Sequence, residues 1–188
     1  MTLRSAAASA ALIAFSLAGS ILPAISGEAT PAQPAPFQVA AVQGAAPDFT
    51  GLGNWFNSAP LNIAGLRGKV VLVNFWTYGC VNCVNTLPHV VDLYAKYKDR
   101  GLVVVGIHTP EFPFERSASN VQAALKRHGI IYPVAQDNDS KTWNAYRNRY
   151  WPSQYIIDQT GKIVFQHDGE GQYDQIDRTV ARLLNASS

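Results

Sequence analysis

The residues best suited to chemistry are Cys80 and Cys83, the only two cysteines in the 188-residue chain. The spacers Val81 and Asn82 allow the two sulfurs to meet within the first turn of a helix. At a helix N-terminus, unpaired backbone N–H groups and the positive end of the dipole stabilise a thiolate. The pattern therefore predicts a redox dithiol in which Cys80 is the nucleophile and Cys83 resolves a mixed disulfide.

Other uses of the cysteine pair stay open on spacing alone. A structural disulfide that closes four residues would remove little chain entropy, so it would stabilise the fold poorly. Zinc would need more ligands than the pair, and no second paired spacing is found among His89, His108, His128 and His167. Two thiolates can hold Cu(I), so the alternative function is a copper-binding chaperone, although Met1 is the only methionine.

The segments around the cysteines alternate between runs typical of strands and apolar spacing typical of helices. Short β-branched and aromatic runs predict strands, and apolar residues at three- and four-residue spacing predict helices. The predicted strands cover 69–76, 102–108, 131–135, 153–158 and 162–167, and the helices 81–98 (with Pro88 inside), 117–128, 139–146 and 173–184. This order predicts an α/β sandwich with a central mixed sheet flanked by helices, and it places Cys80 between a buried strand and a helix start.

The two ends of the chain differ in composition. Residues 1–26 combine Arg4, an uncharged apolar stretch at 6–22 and a small-residue cleavage pattern, which predicts a signal peptide and export to the periplasm or the exterior. An uncleaved membrane anchor is the alternative, although about 17 residues are at or below the length that spans a bilayer. We interpret residues 27–46 as an Ala/Pro-rich linker, followed by one domain at 47–188.

The charge balance limits the classes of partner. Fifteen Lys and Arg against thirteen Asp and Glu give a net charge of +2, with no long run of one sign. Nucleic-acid-binding proteins usually carry a clustered basic excess, so we expect no nucleic-acid partner. The expectation is a monomer without a cofactor or a bound metal.

The cysteine segment, VNFWTYGCVNC at 73–83 followed by Pro88, resembles the active-site segment of thioredoxin-fold proteins. Three further stretches make it similar to the exported TlpA-like redoxins, and especially to the DipZ-like subgroup: GIHTPEF at 106–112, YPVAQDN at 132–138 and YWPSQYIID at 150–158. The resemblance covers about 47–184. It implies a thiol-disulfide oxidoreductase that reduces disulfides of exported proteins and is kept reduced by a membrane electron donor of the DipZ type. A thiol peroxidase fits less well, because no Thr and Arg arrangement surrounds an isolated cysteine.

The resemblance also assigns roles to residues outside the pair. Pro152 matches the cis-proline of the family, which leaves the backbone of Trp151 free to bind a substrate strand. Asn74 and Thr86 depart from the pattern, because many relatives have carboxylates there. We therefore predict Glu111 as the proton relay, since the end of the preceding strand should lie at the same sheet edge as the cysteines. Burial against Phe112 and Phe114 would suit a carboxylate to this role, and an ordinary exposed loop acid is the alternative.

Overall fold

The computed structural model of the chain describes residues 44–186. The predicted signal peptide at 1–26, and the part of the predicted linker before residue 44, lie outside these residues. Within 44–186, no helix combines the length and the apolar character that crossing a membrane would require.

Residues 44–186 contain one mixed sheet of seven strands. In chain order the strands are β1 (Gly44–Ala45), β2 (Trp55–Phe56), β3 (Val70–Trp76), β4 (Leu102–His108), β5 (Val134–Gln136), β6 (Ser153–Ile157) and β7 (Lys162–Asp168). The spatial order is β1-β7-β6-β3-β4-β5-β2. Strand β3 is central, and it pairs in parallel with β4 and antiparallel with β6.

Helices cover both faces of this sheet. The four α-helices of the described residues are α1 (Val81–Tyr97), α2 (Ala118–Arg127), α3 (Lys141–Ala145) and α4 (Tyr173–Asn185). Helices α1, α2 and α4 pack on one apolar cluster, which includes Leu72 and Trp76 of β3. Helix α3 and the segment before β3 pack on a second cluster, which includes Val73 and Phe75. The predicted α/β sandwich is confirmed.

Strand β3 is buried over its whole length because successive side chains point to opposite, helix-covered faces. This explains why its sequence is a continuous apolar run rather than an alternating one. At its carboxyl end the chain leaves the sheet, and α1 begins five residues later at Val81. The cysteine motif therefore lies at the sheet edge where β3 and β4 both end.

The predicted elements differ from the observed ones mainly at the sheet margins. The strand predicted at 131–135 begins later, at Val134, because Ile131 is exposed and Pro133 has no N–H to donate. The two-residue strands β1 and β2 have no periodicity by which they could be predicted, and β1 includes two residues from the predicted linker. Gly129 and Gly161 have positive φ angles (+64° and +76°), as their predicted capping and turn positions require.

Candidate active site

Cys80 is the N-cap residue of α1. Its backbone is extended (φ −86°, ψ 118°), and its Sγ accepts a hydrogen bond from the Cys83 backbone N–H at 3.2 Å. A side-chain acceptor at this position satisfies one of the N–H groups that a helix start leaves unpaired. A backbone N–H that points at a cysteine sulfur at a helix start is the kind of contact that nucleophilic cysteines make.

Cys83 lies one turn further along, with a side chain that is fully buried, whereas Cys80 is half-buried. Both are free thiols in this structure. Burial is the largest cause that raises the pKa of Cys83 above its ordinary value, followed by interaction with Cys80 and the negative charge of Glu115. The Thr77 backbone, which hydrogen-bonds the Cys83 sulfur, partly offsets this rise. The two cysteines are therefore unequal: Cys80 is partly accessible and accepts a backbone N–H, whereas Cys83 is enclosed and burial disfavours its thiolate.

The structure brings the Trp151–Pro152 loop to the cysteines. The peptide bond between these residues is cis, and the Trp151 carbonyl oxygen lies 3.8 Å from Cys80 Sγ. The Trp151 indole N–H donates to the Thr109 carbonyl oxygen at 2.9 Å, and its ring packs on Trp143 at 4.1 Å between centroids. These contacts fix the loop as one wall beside the Cys80 sulfur.

The burial predicted for Glu111 is wrong. Its side chain is exposed, as are the neighbouring Phe112 and Phe114 against which it was expected to pack. The buried carboxylate of this loop is Glu115, whose Oε1 accepts from the Gly79 N–H at 2.9 Å. Its Oε2 accepts from the backbone N–H groups of Glu111 (2.6 Å) and Phe112 (2.9 Å). The loop folds back through a 3-10 turn at Pro113–Arg116, which brings the later glutamate inward.

A buried histidine adjoins the same site. His108, at the end of β4, is fully buried, and its Nε2 lies 3.2 Å from the Thr77 hydroxyl. Its ring meets Trp76 edge-on (5.2 Å) and stacks on Tyr78 (5.5 Å). Burial lowers the pKa of His108 to about 4, and the Glu115 charge opposes this decrease only in part. His108 is therefore a neutral packing residue behind the Thr77–Tyr78 backbone at neutral pH.

The two positions that depart from the family pattern are both buried. Asn74 lies on β3, and Thr86 lies on α1, where its hydroxyl donates to the Asn82 carbonyl oxygen at 2.8 Å. The Thr86 hydroxyl is also 3.4 Å from the Tyr173 hydroxyl. Neither residue can ionise as a carboxylate, so the buried acid next to the cysteine motif comes from the 111–115 loop instead.

The sequence carried a usable signal for Glu115. A glutamate three residues after the N-cap of a helical turn, with proline at the first position, is typical of a side chain that folds back onto the N-cap N–H. His108 gave a weaker signal, because a histidine that ends an apolar strand can lie in the core or at the surface. Its burial depends on Trp76 and Tyr78, which belong to a different segment.

No group of three or more His, Cys, Asp or Glu side chains within 44–186 is arranged to hold a metal ion. A pair of thiols at a helix start is typical of proteins that carry out thiol-disulfide exchange. No observation in the structure favours the alternative of a Cu(I) chaperone.

The fold and the cysteine site together define a thiol-disulfide oxidoreductase of the thioredoxin-like class. A solved structure described as a thioredoxin-like protein in the oxidised form superimposes with a TM-score of 0.70, covering 78% of this chain and 98% of that chain at 27% identity. The thiol-disulfide oxidoreductase YkuV of Bacillus subtilis is 30% identical over 139 residues, which are 73% of this chain and 93% of that protein. The chain belongs to the AhpC/TSA family, whose model matches residues 42–166.

Similarity to the protein DipZ of Mycobacterium tuberculosis is higher but covers only part of that protein. The two are 48% identical over 145 residues, which are 76% of this chain. The chain spans about a fifth (21%) of the length of DipZ. The thioredoxin-like and DipZ-like resemblance of the sequence is thereby confirmed.

Proposed function

We propose that this protein is an exported reductase that transfers two electrons from Cys80 and Cys83 to disulfides of exported proteins. The observation that carries the proposal is the unequal pair at the start of α1, with a half-exposed sulfur that accepts a backbone N–H and a buried partner one turn away. The apolar, signal-like segment at 6–22 and the similarity to DipZ support export.

The geometry supports a two-step exchange. The Cys80 thiolate attacks one sulfur of the substrate disulfide, forming a mixed disulfide and releasing the other substrate sulfur as a thiolate that takes up a proton. Cys83 then loses its proton and attacks Cys80 Sγ, which breaks the mixed disulfide and releases the second substrate thiol. The substrate disulfide is reduced to two thiols, and Cys80 and Cys83 are oxidised to one disulfide.

The direction of exchange is tested by the reduction potential of the Cys80–Cys83 couple. For a reductase we expect a value in the reducing half of the range covered by thioredoxin-like proteins, between roughly −270 and −200 mV. Equilibration with glutathione redox buffers, read out by alkylation of free thiols, measures it. A potential near about −120 mV would instead indicate a protein that forms disulfides.

We propose that the substrate lies along the Trp151–Pro152 loop. The Trp151 carbonyl lies 3.8 Å from Cys80 Sγ, and the indole is half-buried. We expect the carbonyl to pair with an extended substrate backbone and the indole to contact apolar side chains near the substrate cysteine. Glu111, with its side chain in solvent, is not part of this surface.

Replacing Trp151 with alanine is expected to reduce the rate toward a protein disulfide such as insulin by about tenfold or more. The loss follows from removing an aromatic contact, which is worth on the order of 1–2 kcal/mol where a substrate buries it. The rate with a small aromatic disulfide should change by less than about threefold, because that reagent needs no extended surface. Ile131→Ala, at an exposed apolar residue in the loop before β5, is the matched control. Equal losses toward both disulfides would show that Trp151 supports the cysteine geometry instead of binding substrate.

We propose that a membrane electron donor of the DipZ type returns the pair to the dithiol form. The donor must itself present a dithiol, since re-reduction requires a thiolate that attacks the Cys80–Cys83 disulfide and a second thiol that resolves the product. The similarity to one fifth of DipZ supports this partner, because the domain equivalent to this chain is there part of a longer protein.

A further inference from the structure

Glu115 is an unusual residue to bury beside a thiol. Its side chain is 0% exposed, and none of the ion pairs found within residues 44–186 includes it. Burying a carboxylate is costly unless strong hydrogen bonds replace its hydration. Here three backbone N–H groups do so, from Gly79, Glu111 and Phe112.

The contact with Gly79 connects this carboxylate to the nucleophile. Gly79 directly precedes Cys80, and a Cβ at position 79 would lie 2.4 Å from Glu115 Oε1. That distance is far inside a normal non-bonded contact, so the carboxylate approaches the backbone this closely only because residue 79 is glycine. Glu115 and Gly79 therefore form one structural unit.

The type of side chain matters as well as its position. All three groups that face the side chain are N–H donors, and a carboxylate offers two acceptor oxygens to them. A glutamine would offer one oxygen and would turn its NH₂ toward a donor. The arrangement is thus specific for an anion. The negative charge of Glu115 is also the smallest of the causes that raise the pKa of Cys83.

We propose that Glu115 is a positioning residue for thiol exchange, which holds Gly79 and hence Cys80 at the start of α1. The inference rests on the proposed function, in which Cys80 is the nucleophile. It explains how the protein retains an acid beside the cysteines although positions 74 and 86 carry Asn and Thr.

The first test is Glu115→Gln, measured with a small disulfide and with a protein disulfide. The exchange rate should fall by about tenfold or more toward both, because the change acts on Cys80 and not on the substrate surface. Glu170→Gln is the matched control: its carboxylate is exposed and accepts from the Asn85 side chain. A Glu115→Gln rate within twofold of the unchanged protein would overturn the proposal.

The second test asks whether Gly79 and Glu115 act together. Gly79→Ala should slow exchange by about tenfold in the unchanged chain, but by less than about threefold when Glu115→Ala has removed the carboxylate that the new methyl group meets. Gly53→Ala is the control, because a Cβ there has its nearest neighbour at 3.8 Å. Additive effects of the two substitutions would overturn the proposal that Glu115 acts through Gly79. Should the Glu115 variants fail to fold, Gly79→Ala against Gly53→Ala decides alone, and equal rates for these two would reject it.

The third test separates the charge of Glu115 from its structural role. In a Cys80→Ser background, the ¹³Cβ shift of Cys83 reports protonation of that thiol itself, not its accessibility. Glu115→Gln should move the Cys83 titration to lower pH, whereas Glu170→Gln should leave it in place. A Cys83 titration that Glu115→Gln leaves unchanged would show that the charge of Glu115 does not act on Cys83. This titration needs no substrate. It therefore tests the effect of Glu115 on Cys83 whether or not Cys80 is the nucleophile.

Discussion

Cys80→Ser is expected to reduce disulfide exchange by at least about 10³-fold, because in the proposed exchange the Cys80 thiolate performs the first attack and enzymes commonly supply 10⁶-fold or more. Cys83→Ser should also stop turnover, but at a different stage. The first step then remains possible, and the mixed disulfide between Cys80 and the substrate accumulates because no second thiol resolves it. Non-reducing electrophoresis and mass spectrometry of the two variants, incubated with the same protein disulfide, distinguish these outcomes.

The structure gives the reason for this asymmetry. Cys80 Sγ is half-buried and accepts the Cys83 N–H, whereas the Cys83 side chain is fully buried. A substrate sulfur can therefore reach Cys80 and not Cys83. Alkylation of the reduced protein at mildly acidic pH should accordingly label Cys80 first. A mixed disulfide trapped through Cys83 in the Cys80→Ser variant would reverse the assignment of the two roles.

Acid is expected to destabilise the fold between about pH 6.5 and pH 4 through His108. In the native state burial holds the pKa of His108 at about 4, while in the unfolded chain it has the ordinary value of 6.5. Above pH 6.5 both states are neutral, and His108 makes no pH-dependent contribution. As the pH falls toward 4, the unfolded chain binds a proton that the native state does not bind, so the free energy of unfolding decreases. The full effect is about 3 kcal/mol.

Urea unfolding at pH 7 and pH 4.5, followed by tryptophan fluorescence, measures this dependence. His108→Gln should flatten it, because glutamine does not titrate and can still reach the Thr77 hydroxyl. His89→Gln, at an exposed histidine, serves as the control. His128, whose pKa burial also lowers, acts in the same direction, and the pKa of Asp137, which burial raises, acts in the opposite one. A His108→Gln variant with the pH dependence of the unchanged protein would show that His108 is not the group responsible.

The sequence alone determined the parts of this protein that depend on neighbours along the chain. Periodicity set β3, β4 and the four helices, because apolar spacing decides which local conformation can bury its side chains. The spacing of Cys80 and Cys83 at a predicted helix start favours a redox dithiol, because N–H groups at a helix start stabilise a thiolate, although spacing alone also allows a Cu(I) site. None of these properties requires knowledge of the rest of the fold.

Tertiary structure decided which groups surround the pair. Glu115 reaches Gly79 across 36 positions of the chain, and Trp151 reaches Cys80 across 71. In the sequence, Glu111 and Glu115 are acids of the same loop, and only the spacing of Glu115 after Phe112 and Pro113 marks it as a side chain that can fold back onto a helical turn. The 3-10 turn directs Glu115 inward, and hydrogen bonds join this turn to Tyr78 and Gly79, which follow β3. Burial of this carboxylate also depends on the Gly79 N–H, a donor from a distant segment that no local pattern records.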